Sequence, residues 1–416
     1  MSTTARRILV IAIAVAVVIA VLGVIWMFFF RGGPELQVGG GDPFGNAGSG
    51  DAVGTNVPGV LDSGIDYSGD AGTLVAPRLV RITDAPVALG VAAMYIPEVP
   101  AATTTDGGVT PAVPPDVEIR FVERQSGNVY AYRAYARSLT RLSNQTVPGV
   151  HEAVWLSDGS LTYLRFLTDT SGTETLQTYA LPANGDGGYY LEAGITDLAA
   201  TSSAAVMSLV TSSSGSIATV ANADGTEPRT AFSSAITDLA VSFFGRGYLA
   251  TTRGSASLDG YSFLVSEGGT TWSRLAGPVR GIAAIGSPGG KTALVSYVDR
   301  GTLITNLINT DTREVTPLPV ATLAQKCAFS PDSTAVYCAV PKNTNGTIPD
   351  GWYQGATAFD DRIWKVDLVA RITTLMVDPG EVGDMTVDAV ALSVDPSNDI
   401  LSFTNRTDGS LWAYDL

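Results

Sequence analysis

Hydrophobic positions follow three regimes along this chain. From Ile8 to Phe30 they are continuous. The run ILVIAIAVAVVIAVLGVIWMFFF carries no charge over twenty-three residues, and about twenty suffice to cross a ~30 Å hydrocarbon layer. This predicts a transmembrane helix over 8–30. A cleavable signal has a shorter apolar region, roughly 7–15 residues, followed by small residues, whereas this run ends in Trp26, Met27 and three Phe. The expectation is an uncleaved signal anchor that contacts the lipid bilayer through residues 8–30.

In the second regime apolar periodicity vanishes. Residues 32–76 contain thirteen Gly and cannot bury enough surface to offset the entropy of ordering. Residues 31–76 therefore read as a flexible Gly-rich linker. A coil of that length reaches roughly 35–40 Å, enough to hold a folded head off a bilayer.

The third regime, 77–416, consists of short β-rich runs bounded by Gly, Ser, Asp and Asn, with no convincing helix-period stretch. Ile195-Thr-Asp-Leu-Ala-Ala recurs as Ile236-Thr-Asp-Leu-Ala-Val. Aligning small apolar strands that enter a polar turn places one register at Leu89, Val154, Leu198, Leu239, Ile282, Cys327 and Val390, with spacings of 65, 44, 41, 43, 45 and 63 residues. Four spacings match the ~40–45 residues of a four-stranded propeller blade, and each longer one contains an insertion. Only twenty-six residues follow Val390, room for three strands, so the fourth is expected from Arg78-Leu-Val-Arg-Ile-Thr83. The fold class expected is all-β, a seven-bladed β-propeller whose N-terminal strand closes the last blade and leaves no open sheet edge.

Phe329-Ser330-Pro331-Asp332-Ser333 resembles the FSPDG turn of the TolB-like, WD40-like propeller repeats, with Ser at the final Gly. Weaker echoes are Trp155-Leu-Ser-Asp-Gly159, Gly286-Ser-Pro-Gly-Gly290 and Leu392-Ser-Val-Asp-Pro396. The segments around Lys326-Cys-Ala-Phe-Ser, Val336-Tyr-Cys-Ala-Val-Pro341, Trp352-Tyr353-Gln354-Gly355 and Ile363-Trp364-Lys-Val-Asp-Leu368 also resemble single-anchor envelope propellers of reduced-genome bacteria. The TolB likeness implies a role in holding partner proteins. Val265-Ser-Glu-Gly-Gly-Thr-Thr-Trp272 is similar to the Asp-box of sialidase-type propellers, which implies a hairpin whose acid, here Glu267, caps the turn while Trp272 packs between strands.

Charge sharpens the address. Lys and Arg number 25 against 40 acids, a net −15, so nucleic-acid binding is excluded by the lack of a basic face. Setting aside Arg6, Arg7 and Arg31 around the apolar run, 22 basic residues face 40 acidic ones. Two Arg before the helix against one after it favour a cytoplasmic tail over 1–7 and an extracytoplasmic propeller. The single His removes most imidazole chemistry, and no cofactor or metal motif is present.

Cys327 and Cys338 flank a tight turn. If it centres on 331–334, the pairs run 330 with 335, 329 with 336, 328 with 337 and 327 with 338, which puts the two sulfurs on facing positions. A disulfide is the leading expectation in an oxidising compartment; reduced core thiols, or a redox or metal role, are the alternatives.

The insertion 341–361 falls between the second and third strands of the sixth blade, on the rim of the channel. It offers Trp352, Tyr353, Asp350, Asp360 and Asp361, and the nearby connection 378–388 adds Asp378, Glu381, Asp384 and Asp388. Three readings stand: a solvated acidic loop with its aromatics folded back, a rim for an envelope protein or glycan partner, or a hard-cation site. The insertion 97–115 reads as an extended Thr/Pro/Ala spacer, and His151 as a loop residue near the channel mouth. Asp360 and Asp361 are adjacent and face opposite ways on a strand, so they do not form a catalytic pair. The function expected is a non-catalytic binding or assembly module of the cell envelope. The alternative is an envelope hydrolase acting on glycan or peptide with carboxylates at the channel.

Overall fold

The computed structural model describes residues 78–416 apart from 104–108, 171, 172, 202–204, 345 and 384. The expected tail, membrane span and linker lie outside the described residues. Among the described residues no helix is long and apolar enough to cross a membrane.

Antiparallel meanders account for nearly all of the regular structure. Five sheets have four strands. From inner to outer strand they are Ala92–Ile96, Asp116–Val122, Val129–Arg133, Ser138–Arg141; then Val150–Trp155, Leu161–Thr170, Thr173–Pro182, Tyr189–Tyr190; then Ile195–Ala200, Ala205–Ser212, Gly215–Asn222, Arg229–Ser234; then Cys327–Phe329, Ala335–Pro341, Asp361–Asp367, Ile372–Val377; and finally Ala389–Val394, Ile400–Asn405, Leu411–Asp415, Leu79–Arg81. A sixth sheet has seven strands, Leu239–Phe244, Gly247–Thr252, Asp259–Val265, Trp272–Gly286, Thr292–Asp299, Thr302–Asn309 and Val315–Pro317.

First strands contact one another in succession. Val150–Trp155 touches Ile195–Ala200, which touches Leu239–Phe244; Cys327–Phe329 touches Ala389–Val394, and that strand touches Ala92–Ile96. Trp272–Gly286 touches the turn Ala324–Lys326 that leads into Cys327–Phe329, and Asp116–Val122 touches Val150–Trp155, so the sheets form a closed ring, the architecture of a β-propeller. Burial follows from it. A second strand has sheet neighbours on both faces, so Ile400–Asn405 is buried at every position, whereas the outermost Ser138–Arg141 alternates exposed and half-buried residues. Six of the seven expected registers lie in or beside a first strand, and Ile282 lies in the long fourth strand of the seven-stranded sheet. Leu89 sits outside the ladder but bridges Glu152 in parallel. That close approach requires Gly90, which has φ +107° and whose added Cβ would stand 2.3 Å from the Ala153 carbonyl oxygen.

Closure uses the expected N-terminal segment: Leu79, Val80 and Arg81 pair with Tyr414, Ala413 and Trp412. Cys327 and Cys338 occupy facing positions, as do Phe329 and Val336, and the two sulfurs are bonded. Two expectations need correction. The spacer 97–115 is not simply extended, since Ala102–Thr103 pairs with Val109–Thr110 and Val99 with Val113. In the Asp-box-like hairpin, Ser266 Oγ accepts the Thr271 amide at 3.1 Å, so a hydroxyl caps the turn in the place expected of Glu267. Trp272 does pack as expected, against Phe232 and Phe263.

Candidate functional site

The loop joining Ala335–Pro341 to Asp361–Asp367 turns back over the end of the ring where the first strands begin. It contains one helical turn, Asp350–Tyr353. Ile348, Trp352 and Phe359 are buried against Leu303, Leu323 and Val390, so the loop is anchored on residues from three separate stretches of the ring. Its far side is tied by Asp350, which accepts the Ala256 amide at 2.5 Å.

An ion cluster lies beneath these aromatics. Lys326 ends a short 3-10 turn, Ala324–Lys326, and its ammonium is 2.8 Å from Asp361 Oδ2 and 2.5 Å from Asp388 Oδ1. It also donates to the Ala389 carbonyl at 2.9 Å. Lys326 and Asp361 are both 0% exposed; charges so deeply buried persist only when paired and hydrogen-bonded. Asp388 accepts the Trp352 indole N–H at 2.9 Å and the Phe359 amide at 3.2 Å, and Asp361 accepts the Ala389 amide at 2.7 Å. Burial pushes the Asp361 carboxyl up to about 6, against the opposing pull of Lys326. The faces of Trp352 and Phe359 stand 5.0 and 5.3 Å from the ammonium, a cation–π cover.

A second group sits at the loop's two ends. Lys342 Nζ is 3.1 Å from Asp360 and 2.8 Å from Asp378, and Arg362 Nε is 2.6 Å from Asp378. Burial raises the Asp378 carboxyl, but the bonds from Lys342 and Arg362 outweigh it and leave the group below its ordinary value. The hydrogen bond to Asp378 holds Lys342 above its usual range.

These contacts place the residues expected of the rim. Trp352, 5% exposed, is an anchor inside the fold and not a surface for a partner, because its indole N–H is committed to Asp388. Asp361 is likewise buried beneath the loop by its bond to Lys326. Asp350 and Asp360 are engaged at the loop edges. Tyr353 remains at the surface, 38% exposed, donating to Gln325 Oε1 at 3.1 Å while Arg406 donates to its carbonyl. Glu381 is exposed on the turn Pro379–Gly383, and Asp384 lies outside the described residues. The expected acidic sector is therefore largely neutralised by Lys326, Lys342 and Arg362, with Arg406 3.9 Å from Asp388. Among the described residues no group of three or more His, Cys, Asp or Glu is arranged to hold a metal.

Across the same end of the ring runs a chain of arginine contacts. Arg124 meets His151 Nδ1 at 2.8 Å, Arg165 pairs with Glu152 at 2.5 Å and donates to the Ile195 carbonyl, and Arg253 lies 3.8 Å from Asp197 and 3.2 Å from Asp238. Burial and the Arg124 charge lower His151, and burial raises Asp197. Asp197 and Asp238 are the acids of the two Ile-Thr-Asp-Leu-Ala copies. The repeat thus marked them, although nothing in the spacing pointed to Arg253 as their common partner.

No family model matches the sequence, and no curated protein matches it. Among solved structures, it is similar to an oligogalacturonate lyase from Vibrio parahaemolyticus, with a TM-score of 0.52 at 11% identity over 82% of this chain and 94% of that one. A hydrazine synthase from Kuenenia stuttgartiensis gives 0.50 at 12% identity over 84% and 99%. TolB from Acinetobacter baumannii superposes more loosely, with a TM-score of 0.41 at 13% identity over 72% and 76%. At these identities the first two establish a shared fold.

Proposed function

We propose that this protein is a membrane-anchored, extracytoplasmic propeller of seven blades that serves as a non-catalytic binding or assembly module of the cell envelope. The anchor rests on the uncharged run Ile8–Phe30 and its flanking Arg residues. The blade number follows if the seven-stranded sheet is counted as two units sharing Trp272–Gly286. That fifteen-residue strand supports the division through its register shift between Arg280 and Ala283. The likeness to single-anchor envelope propellers belongs to the same proposal.

The observation that carries the binding reading is the seating of the loop 342–360. Trp352, Lys326 and Asp388 fix it from below while Tyr353, and across the mouth Arg253 and Glu152, stay at the surface. A surface held rigid before a partner arrives loses less entropy on association. The test is crosslinked affinity purification of the anchored protein beside Tyr353→Ala and Arg253→Ala. A species crosslinked to wild type and lost in both variants supports the rim, and an unchanged set rules it out.

One observation favours the hydrolase alternative. Asp197, raised by burial, and Glu152, paired with Arg165, occupy neighbouring inner strands, two carboxyls in unlike surroundings as a hydrolytic pair requires. Loss of glycan or peptide hydrolysis in Glu152→Gln, with the fold retained, would establish it.

A further inference from the structure

Beside the loop, between the connection 318–326 and the strands Ala335–Pro341 and Asp361–Asp367, lies an open cleft of about 180 Å³ lined by Pro319, Pro341, Lys342, Arg362 and Trp364, among others. Trp364 faces Cys338 across the ladder and packs against the disulfide-bearing core, so its half-buried ring is fixed in place. The two cations are fixed as well. Asp378 orients Arg362 through Nε at 2.6 Å, a bond that does not use the Nη1 and Nη2 donors, and Lys342 is held between Asp360 and Asp378.

We propose that this cleft binds one neutral sugar ring, its apolar face against Trp364 and its hydroxyls hydrogen-bonded by Arg362 and Lys342. Size sets the first limit. Pockets that enclose drug-sized ligands run to about 300–1,000 Å³, so an open cleft of about 180 Å³ contacts only part of such a ligand, about one ring. Chemistry sets the second. An indole that lines the same cleft as two charged donors suits a molecule with an apolar face and polar edges. Charge sets the third. Asp360 and Asp378 already balance Lys342 and Arg362, Glu381 adds a further negative charge to the field at Arg362, and the chain carries −15 overall, so a carboxylate ligand meets repulsion that a neutral one does not. Donors locked in place by salt bridges cost little further entropy when a ligand binds.

This gives a ligand class to the binding reading, through a surface separate from Tyr353 and Arg253. The test is saturation-transfer NMR on the full-length chain with methyl β-D-glucopyranoside, methyl N-acetyl-β-D-glucosaminide and glucuronate as probes. Arg362→Gln and Trp364→Phe are the variants, each first checked for a wild-type melting temperature; Lys342→Gln replaces either one that fails that check. Saturable millimolar binding of a neutral glycoside, weakened about tenfold by Arg362→Gln, as expected for loss of one charge-assisted hydrogen bond, supports the site. No saturable binding, binding indifferent to both variants, or preference for glucuronate overturns it. None of these outcomes bears on partner capture by Tyr353 and Arg253, so the two readings fail separately.

Discussion

The carboxylate of Asp197 accepts the backbone amide of Val241 at 2.6 Å, so an acid on one inner strand holds the inner strand of the next sheet. Asp197→Ala leaves that half-buried amide without its acceptor, and we expect a loss of roughly 1–3 kcal/mol. Asp197→Asn keeps an acceptor oxygen and should cost less than half as much. Urea unfolding of the three proteins checks this; equal losses would mean that charge, not the hydrogen bond, does the holding.

Lys326 neutralises two buried carboxylates at once. Lys326→Met strands Asp361 and Asp388 as uncompensated buried charges, and removal of one partner from such a cluster costs about 3–5 kcal/mol. Combining it with Asp361→Asn and Asp388→Asn should recover part of the loss. A triple variant no more stable than Lys326→Met alone would contradict the pairing.

Because Asp361 titrates near 6 when folded and an Asp carboxyl near ~3.9 when unfolded, the folded chain holds this proton to higher pH. Its contribution to stability is therefore largest below about pH 4 and declines as pH rises to about 6, by no more than about 3 kcal/mol. Asp361→Asn should flatten that slope in denaturation curves collected across the interval. A wild-type slope of opposite sign, or one unchanged in the variant, would assign the titration elsewhere.

Cys327 and Cys338 are bonded eleven residues apart. A short cross-link of this kind contributes on the order of 2–3 kcal/mol, and both side chains belong to a buried core, so the double Cys→Ala variant should lose at least that much. Mass analysis of the denatured, unreduced protein after thiol alkylation should show no added label, and two labels only after reduction.

Ser333 stands at φ +62° where the FSPDG turn carries Gly. A left-handed residue with a Cβ costs about 1–2 kcal/mol, offset here by the Gly289 amide, which donates to Ser333 Oγ at 3.3 Å. Ser333→Gly is expected to raise stability by up to about 1 kcal/mol. A fall would show that the inter-sheet bond outweighs the strain.

Legibility in the sequence followed distance along the chain. The Cys327 to Cys338 register was readable because only a tight turn separates the two, and the closing strand because counting residues after Val390 left one strand missing. The mouth was not readable, because its contacts are made by side chains far apart in sequence. Lys326 meets Asp388 across 62 positions and Asp350 reaches Ala256 across 94. For Trp352 the sequence allows both a ring folded back over the blade and one presented at the rim; only the cluster beneath it explains why the indole is drawn inward. The acids of the insertion were visible, but of the cations that silence them only Lys342 lies within it, while Lys326, Arg362 and Arg406 lie outside.

The ladder Leu79–Arg81 to Trp412–Tyr414 has a mechanical consequence. Any pull on the chain ahead of Arg78 falls first on three ladder positions that close the ring. If residues 8–30 anchor the protein, tension along the tether is borne by the strand whose loss exposes the edge of Leu411–Asp415, and the ring would open at that seam before any other.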